Sequence, residues 1–277
     1  MQALYGSDAF SPREIAEKIG AGGVAKARLP FLPTAIFGVC AGGFIGLGGL
    51  FSNLVLSDPS LGFAASRVLG GVVFSLGLIL VVVAGAELFT GNNLMVMAWA
   101  DRRISLRELL RSWIIVYISN AIGAIGLALL VYLSHHGDMN GGAVALQYVK
   151  TGAAKTAMPF GEAFFKGVLC NLLVCLAVWL GIGGRSVTDK VLAVVFPISA
   201  FVAAGFEHCV ANMYLIPVGI LLRDSVPYAA PALDWTGLLH NLLPVTLGNI
   251  VGGSVLVALV YYAIYRRGEA ERRDGPR

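Results

Sequence analysis

Long runs without charge alternate with short charged connections along this chain. Three runs, 29–57, 112–137 and 235–265, contain no Asp, Glu, Lys or Arg, and a fourth, 167–184, lies between Lys166 and Arg185. Two more, 68–100 and 191–222, each carry a single charge near the middle, Glu87 and Glu207. A charge at the bilayer centre costs at least ~2.5 to 3.5 kcal/mol, so runs of this kind mark membrane spans, which need ~17 to 25 residues. As continuous helices rising ~1.5 Å per residue, the two glutamate-bearing runs reach roughly 50 Å, too long for a core of ~30 Å unless tilted or broken. The pattern predicts an all-α membrane protein with six transmembrane helices, the second and fifth discontinuous.

Composition agrees. The chain is 57% apolar and only 13% charged, about half the roughly 25% of charged residues in a soluble domain, and its mean hydropathy is +0.78. This excludes disorder, a disulfide scaffold and an ordinary water-soluble enzyme. Thirty-five glycines supply the small residues that let membrane helices approach closely. The four cysteines, Cys40, Cys170, Cys175 and Cys209, all fall in spans and are expected to be free. Fifteen of the twenty Lys and Arg lie in segments 1–30, 101–111, 184–190 and 266–277, all on one side of a six-span protein. The positive-inside rule puts that side, and both termini, in the cytoplasm.

Residues 1–30 lack the apolar core of a signal peptide and are expected to form a cytoplasmic amphipathic helix opening at Ser11-Pro12-Arg13-Glu14, a capping-box pattern. Residues 31–265 form the six-span domain, and 266–277 read as a basic cytoplasmic tail.

The two lone glutamates sit in near-repeats, GAELFTGNNLM at 85–95 and GFEHCVANMYL at 205–215. Gly85, Glu87 and Asn92 match Gly205, Glu207 and Asn212 at an offset of 120, and Asn120, Gly123 and Tyr132 match Asn249, Gly252 and Tyr261 at 129. Each repeat, about 31–137 and 159–265, holds three spans. An odd number turns the second copy upside down, and inverted repeats with paired helix breaks are the signature of a transport fold with its path near the midplane.

GAELFTGNN, KGVLCNLLVCLAVW, GFEHCVANM and NLLPVTLGNIVGG resemble the signature segments of the formate/nitrite transporter family, over about residues 30 to 265. GGRSVTDK after the fourth span and GNI in the sixth are most similar to its formate branch. The resemblance implies an aquaporin-like protomer in a homopentamer in the cytoplasmic (inner) membrane, one pore per subunit. Formate, nitrite, acetate, lactate and hydrosulfide all remain open as the transported anion, with protons as the second partner. No metal, cofactor or nucleic-acid partner is expected.

Dehydrating an anion is costly, so its pore must surround the charge with donors or neutralise it. His208, inside the second break, has a side chain suited to proton exchange near neutrality, and formate is expected to cross there as formic acid. Lys155 lies in the connection before the fourth span, and the resemblance places it in the pore vestibule as an anion attractor. Glu87 and Glu207 are expected to accept bonds from backbone N–H groups orphaned at the breaks, with proton relay by Glu207 as the alternative. Thr90 is placed to bond substrate, His208 or its own turn, in a loop that the resemblance makes a mobile gate. Asn171 and Asn249 are carried over as pore-side amides, and Phe74, Leu78, Phe89, Val174 and Phe201 as apolar constrictions.

Other classes fit worse. The chain has no HExxH, GxSxG or phosphate-loop motif and no Asn-Pro-Ala pair. A hydrolytic grouping of His208, Glu207 and Ser254 therefore has no motif behind it, and neither does a neutral-solute pore of the aquaporin type. Passive channel and proton symporter use the same histidine chemistry and are not distinguished by sequence.

Overall fold

The structure, a computed structural model, describes residues 8–266 and is almost entirely helical; the basic tail beyond Arg266 lies outside the described residues. The first half comprises α1 (Pro12–Ala27), α2 (Phe31–Leu56), α3 (Phe63–Leu80) with a π-helical turn Val81–Gly85, then a break, a tight turn Gly91–Met95 leading into α4 (Val96–Ala100), and α5 (Leu106–Leu133). The second half repeats it. It comprises α6 (Ala143–Thr156), α7 (Phe160–Gly183), α8 (Val187–Ala204), a break, α9 (Cys209–Leu222), and α10 (Trp235–Ile250) continuing through a π segment Val251–Leu259 into α11 (Val260–Tyr265). Six stretches are long and apolar enough to cross a membrane, and they fall on the six charge-poor runs.

The helices start and stop where local chemistry requires. Ser11, Ser105 and Ser186 cap α1, α5 and α8 in reciprocal capping boxes with Glu14, Glu108 and Asp189. α5 and α7 begin several residues ahead of their charge-free runs, with Glu108 used in a cap and Glu162 paired with Lys166 at 2.6 Å, one turn on. The half-helices α3 and α8 both stop at a glycine in the left-handed region, Gly85 (φ 87°) and Gly205 (φ 74°), a conformation strained for any side chain.

Close backbone approach sets the packing of spans. A Cβ on Gly42 would collide with the Asn120 carbonyl of α5, and one on Gly123 with the Val39 carbonyl of α2. Gly248 and Gly252 stand in the same relation to the Phe164 and Val168 carbonyls of α7. The second half-helices are the most enclosed parts of the molecule: every residue of α9 from Cys209 to Ile220 is buried, as are Asn92 to Ala98. A segment surrounded by protein on all sides can end or bend at membrane depth without presenting bare backbone to lipid.

Two outcomes follow from these features. Gly123→Ala and Gly252→Ala should each lower stability by roughly 1–3 kcal/mol through overpacking, read as a fall in thermal unfolding temperature, whereas Gly43→Ala, which meets open space, should not. Backbone and side-chain bonds from the capping Ser11 hold the Glu14 carboxyl below its ordinary value. Its contribution is therefore present above the unfolded pKa and lost as pH falls through the lower folded value, so protease cutting at the start of α1 should increase only below about pH 4.

Candidate functional site

Two cavities enter the protein from regions related by the repeat. One, of about 490 Å³, is lined by residues including Asn53, Phe74, Lys155, Phe201, Glu207 and His208. The other, of about 340 Å³, is lined by Lys26, Leu78, Glu87, Leu88, Asn92 and Val178 among others. Lys26 and Lys155 are separated by 129 residues, the same offset as Asn120 and Asn249, so α1 and α6 belong to the repeat. Since the halves are inverted, the cavities face opposite sides of the membrane.

The partition between them is thin and mostly apolar. α3 presents Phe74 to the larger cavity and Leu78, one turn on, to the smaller. Phe74 meets Phe201 edge-on with ring centroids 5.6 Å apart, and Phe201 stacks on His208 at 6.0 Å. Val174 is buried one turn before Val178, which lines the smaller cavity. Phe89 does not constrict the path. It turns toward α5, packing against Trp113 and Tyr117 at 5.9 and 4.9 Å, and lines neither cavity. Leu88, the residue before it, lines the smaller cavity instead.

Thr90 and His208 meet across the partition, Thr90 Oγ1 to His208 Nε2 at 2.9 Å. His208 also caps α9, its Nδ1 accepting from the Ala211 N–H at 3.0 Å. An occupied Nδ1 puts the proton of the neutral ring on Nε2, which donates to Thr90 and leaves the threonine hydroxyl hydrogen for a second acceptor.

Behind this pair both breaks are held in one way. Asn120 donates to the Gly38 and Glu87 carbonyls at 2.8 and 2.9 Å and accepts from the Phe89 N–H at 2.9 Å. Asn249 does the same with the Gly167 and Glu207 carbonyls and the Cys209 N–H, at 2.8, 2.9 and 2.9 Å. Asn171 adds bonds to Asn93 Oδ1 at 2.8 Å and to the Asn249 and Thr90 carbonyls at 2.7 and 3.3 Å. These amides line neither cavity: they fix the loops that do.

The glutamates have a different task from the one expected of them. Glu87 accepts from Lys26 at 2.8 Å and Asn92 at 2.7 Å, and Glu207 from Lys155 and Asn212, both at 2.7 Å. The amides of Asn120 and Asn249 already satisfy backbone groups at the breaks, which leaves the carboxylates to neutralise a lysine each. Lys155 lies on helix α6, at the cavity wall, with its charge balanced by Glu207. Lys26, Asn92, Asn120, Asn212 and Leu88 complete the site. The repeat offset that carries Lys155 to Lys26 and Asn249 to Asn120 is the signal by which sequence could have found the first of these.

Six spans, paired helix breaks and two cavities closed off at a polar pair define a membrane transport protein. The formate/nitrite transporter profile matches residues 13–263, and the chain belongs to that family. It is 39% identical over 284 residues to the formate channel FocA of Escherichia coli (strain K12), covering 96% of this chain and 98% of that one. It is 40% identical over 267 residues to the uncharacterized transporter YrhG of Bacillus subtilis (strain 168), covering 95% and 96%. Its fold superposes with a TM-score of 0.79 on a solved structure described as a pentameric formate channel with formate bound, at 38% identity, covering 85% of this chain and 97% of that one. An FNT family ion channel gives 0.80 at 32% identity, covering 91% and 98%.

The ion pairs supply a direct test of this frame. Removing one partner of a buried pair strands the other charge and costs ~3–5 kcal/mol. Lys155→Met should therefore destabilise the protein strongly, Lys155→Met with Glu207→Gln should recover most of the loss, and Lys26→Met, at a pair more open to solvent, should cost less. Thermal unfolding of the three purified variants reads the order.

Proposed function

We propose that this chain is a formate-type channel or transporter that moves small monovalent anions of weak acids, formate foremost, one pathway per protomer of a homopentamer. The observation that carries this reading is the Thr90–His208 bond inside an apolar partition between two cavities. The similarity to chains and a solved structure described as formate channels supports it. The basic connections favour an inner-membrane orientation with both termini cytoplasmic, so that the α1-side cavity opens inward and the α6-side cavity outward.

An anion would lose its hydration among Phe74, Phe201 and Leu78, whereas a neutral acid gives up much less. A carboxylate that displaces the Thr90–His208 bond meets two donors, the threonine hydroxyl and Nε2–H. The neutral ring has no proton to release to a carboxylate, so the proton comes from vestibule water, either straight to the anion or by way of transient protonation at Nδ1 with Nε2–H handed on, and converts it to the acid that crosses the partition. Placing a proton on Nδ1 as well requires release of the Ala211 N–H, so the charged ring is short-lived and the resting ring neutral. Glu207, fixed by Lys155 and Asn212, then has a positioning role rather than a relay role. Nitrite, acetate, lactate and hydrosulfide can use the same chemistry, and relative flux ranks them.

His208→Asn separates the two tasks of the histidine, because asparagine caps a helix well but does not titrate. In proteoliposomes at pH 5 and pH 7.5 the wild type should pass formate and exclude glycerol. His208→Asn should lose about 100-fold or more of the formate flux with the fold retained, the size of one catalysed proton transfer, and Thr90→Val should lose less. Equal flux in wild type and His208→Asn, or passage of glycerol but not formate, would make this a neutral-solute pore.

A further inference from the structure

The α6-side cavity is lined by four cations, and three are engaged. Lys155 pairs with Glu207 at 2.7 Å, Lys166 pairs with Glu162 at 2.6 Å, and Arg67 donates to the Ala203 and Val202 carbonyls at 3.0 and 2.8 Å, tying down the end of α8. Lys150 has neither an ion-pair nor a hydrogen-bond partner among the described residues.

The same cavity is lined by a buried amide with a vacant donor. Asn53 of α2 is 2% exposed, and its Nδ2 has no hydrogen-bond partner among the described residues. Its orientation is set from α6. Gln147 Nε2 donates to Thr151 Oγ1 at 3.2 Å, and the threonine passes its one hydrogen to Asn53 Oδ1, also at 3.2 Å. The amide nitrogen is thereby turned away from Thr151. Gln147, Lys150 and Thr151 are spaced i, i+3, i+4 on α6 and share a face. An unmade bond to a buried donor costs about 1–3 kcal/mol, which an acceptor in the cavity would recover.

We infer that Asn53 and Lys150 form a capture station for a small carboxylate on the α2–α6 wall, ahead of the Thr90–His208 pair. A planar oxyanion carries two acceptor oxygens, one for the vacant amide and one for the unneutralised ammonium. Lys155, balanced by Glu207, leaves this collecting role to Lys150. The inference rests on the proposed anion transport and names where the anion first binds.

The test compares wild type, Asn53→Leu, which keeps the volume and removes the donor, and Lys150→Gln, an exposed position where misfolding is not at issue. Two quantities are read: half-saturating formate for uptake from the α6 side, and the formate dissociation constant of the purified protein from saturation transfer to the formate proton. Each substitution should raise both by about tenfold or more, the equivalent of one hydrogen bond to a charged group, and should raise half-saturation more than it lowers the maximal rate. Added salt should weaken binding to wild type and leave Lys150→Gln little changed. Wild-type affinity in both variants overturns the station. If the wild type moves no formate, the transport reading falls, and the saturation-transfer titration alone decides the station by the same criterion.

Discussion

A helix that stops halfway across a membrane leaves N–H and C=O groups where neither water nor lipid can bond them. Everything distinctive in this structure answers that constraint. Asn120 and Asn249 each bridge two carbonyls and one N–H, joining the broken helix to the neighbouring span. Both amides are fully buried, and each reaches its break because a glycine one turn on, Gly123 or Gly252, lets its helix press against α2 or α7. Close packing and hydrogen bonding are thus a single device: without the small residues the amides would not reach, and without the amides the breaks would not hold.

The two halves share this frame and differ where chemistry enters. The position in the first break that corresponds to His208 is Leu88. The larger cavity thus ends at an imidazole and the smaller is lined by an aliphatic side chain. The paired lysines and glutamates remain symmetric, so each cavity has one internally balanced charge pair and no net burden from it. Symmetry is broken again at the amide oxygens. Lys26 donates to Asn92 Oδ1 as well as to Glu87, whereas Lys155 donates to Glu207 alone and Asn212 Oδ1 has no partner among the described residues. A pathway built from two equivalent halves thereby acquires different chemistry at its two ends.

His208 illustrates how one side chain serves structure and site together. As the cap of α9 it occupies Nδ1, and by doing so it selects the tautomer that faces Thr90. The capping bond is local, three residues along the chain, whereas its partner across the partition is 118 residues away. The ring orientation required for the distant contact is therefore fixed by the near one.

The sequence by itself determined the spans, the two breaks and the inverted repeat, because membrane energetics penalise charge so heavily that one glutamate in a thirty-residue run is visible. It also singled out His208 and Thr90, which lie inside the breaks and meet in the folded chain. Tertiary structure alone decided which acceptor met which donor. A carboxylate and an amide beside a break are both able to satisfy backbone, and only the folded chain shows the amides doing so while Glu87 and Glu207 take the lysines. It likewise decided that Leu88 rather than Phe89 lines a cavity, since Phe89 packs against Trp113 and Tyr117 of a helix distant from the break in sequence, and hydropathy is blind to such partners. Asn53 and Lys150 were silent in sequence for a related reason: an unmatched donor is recognised only when every neighbouring acceptor has been located, and those neighbours come from helices far apart in the chain.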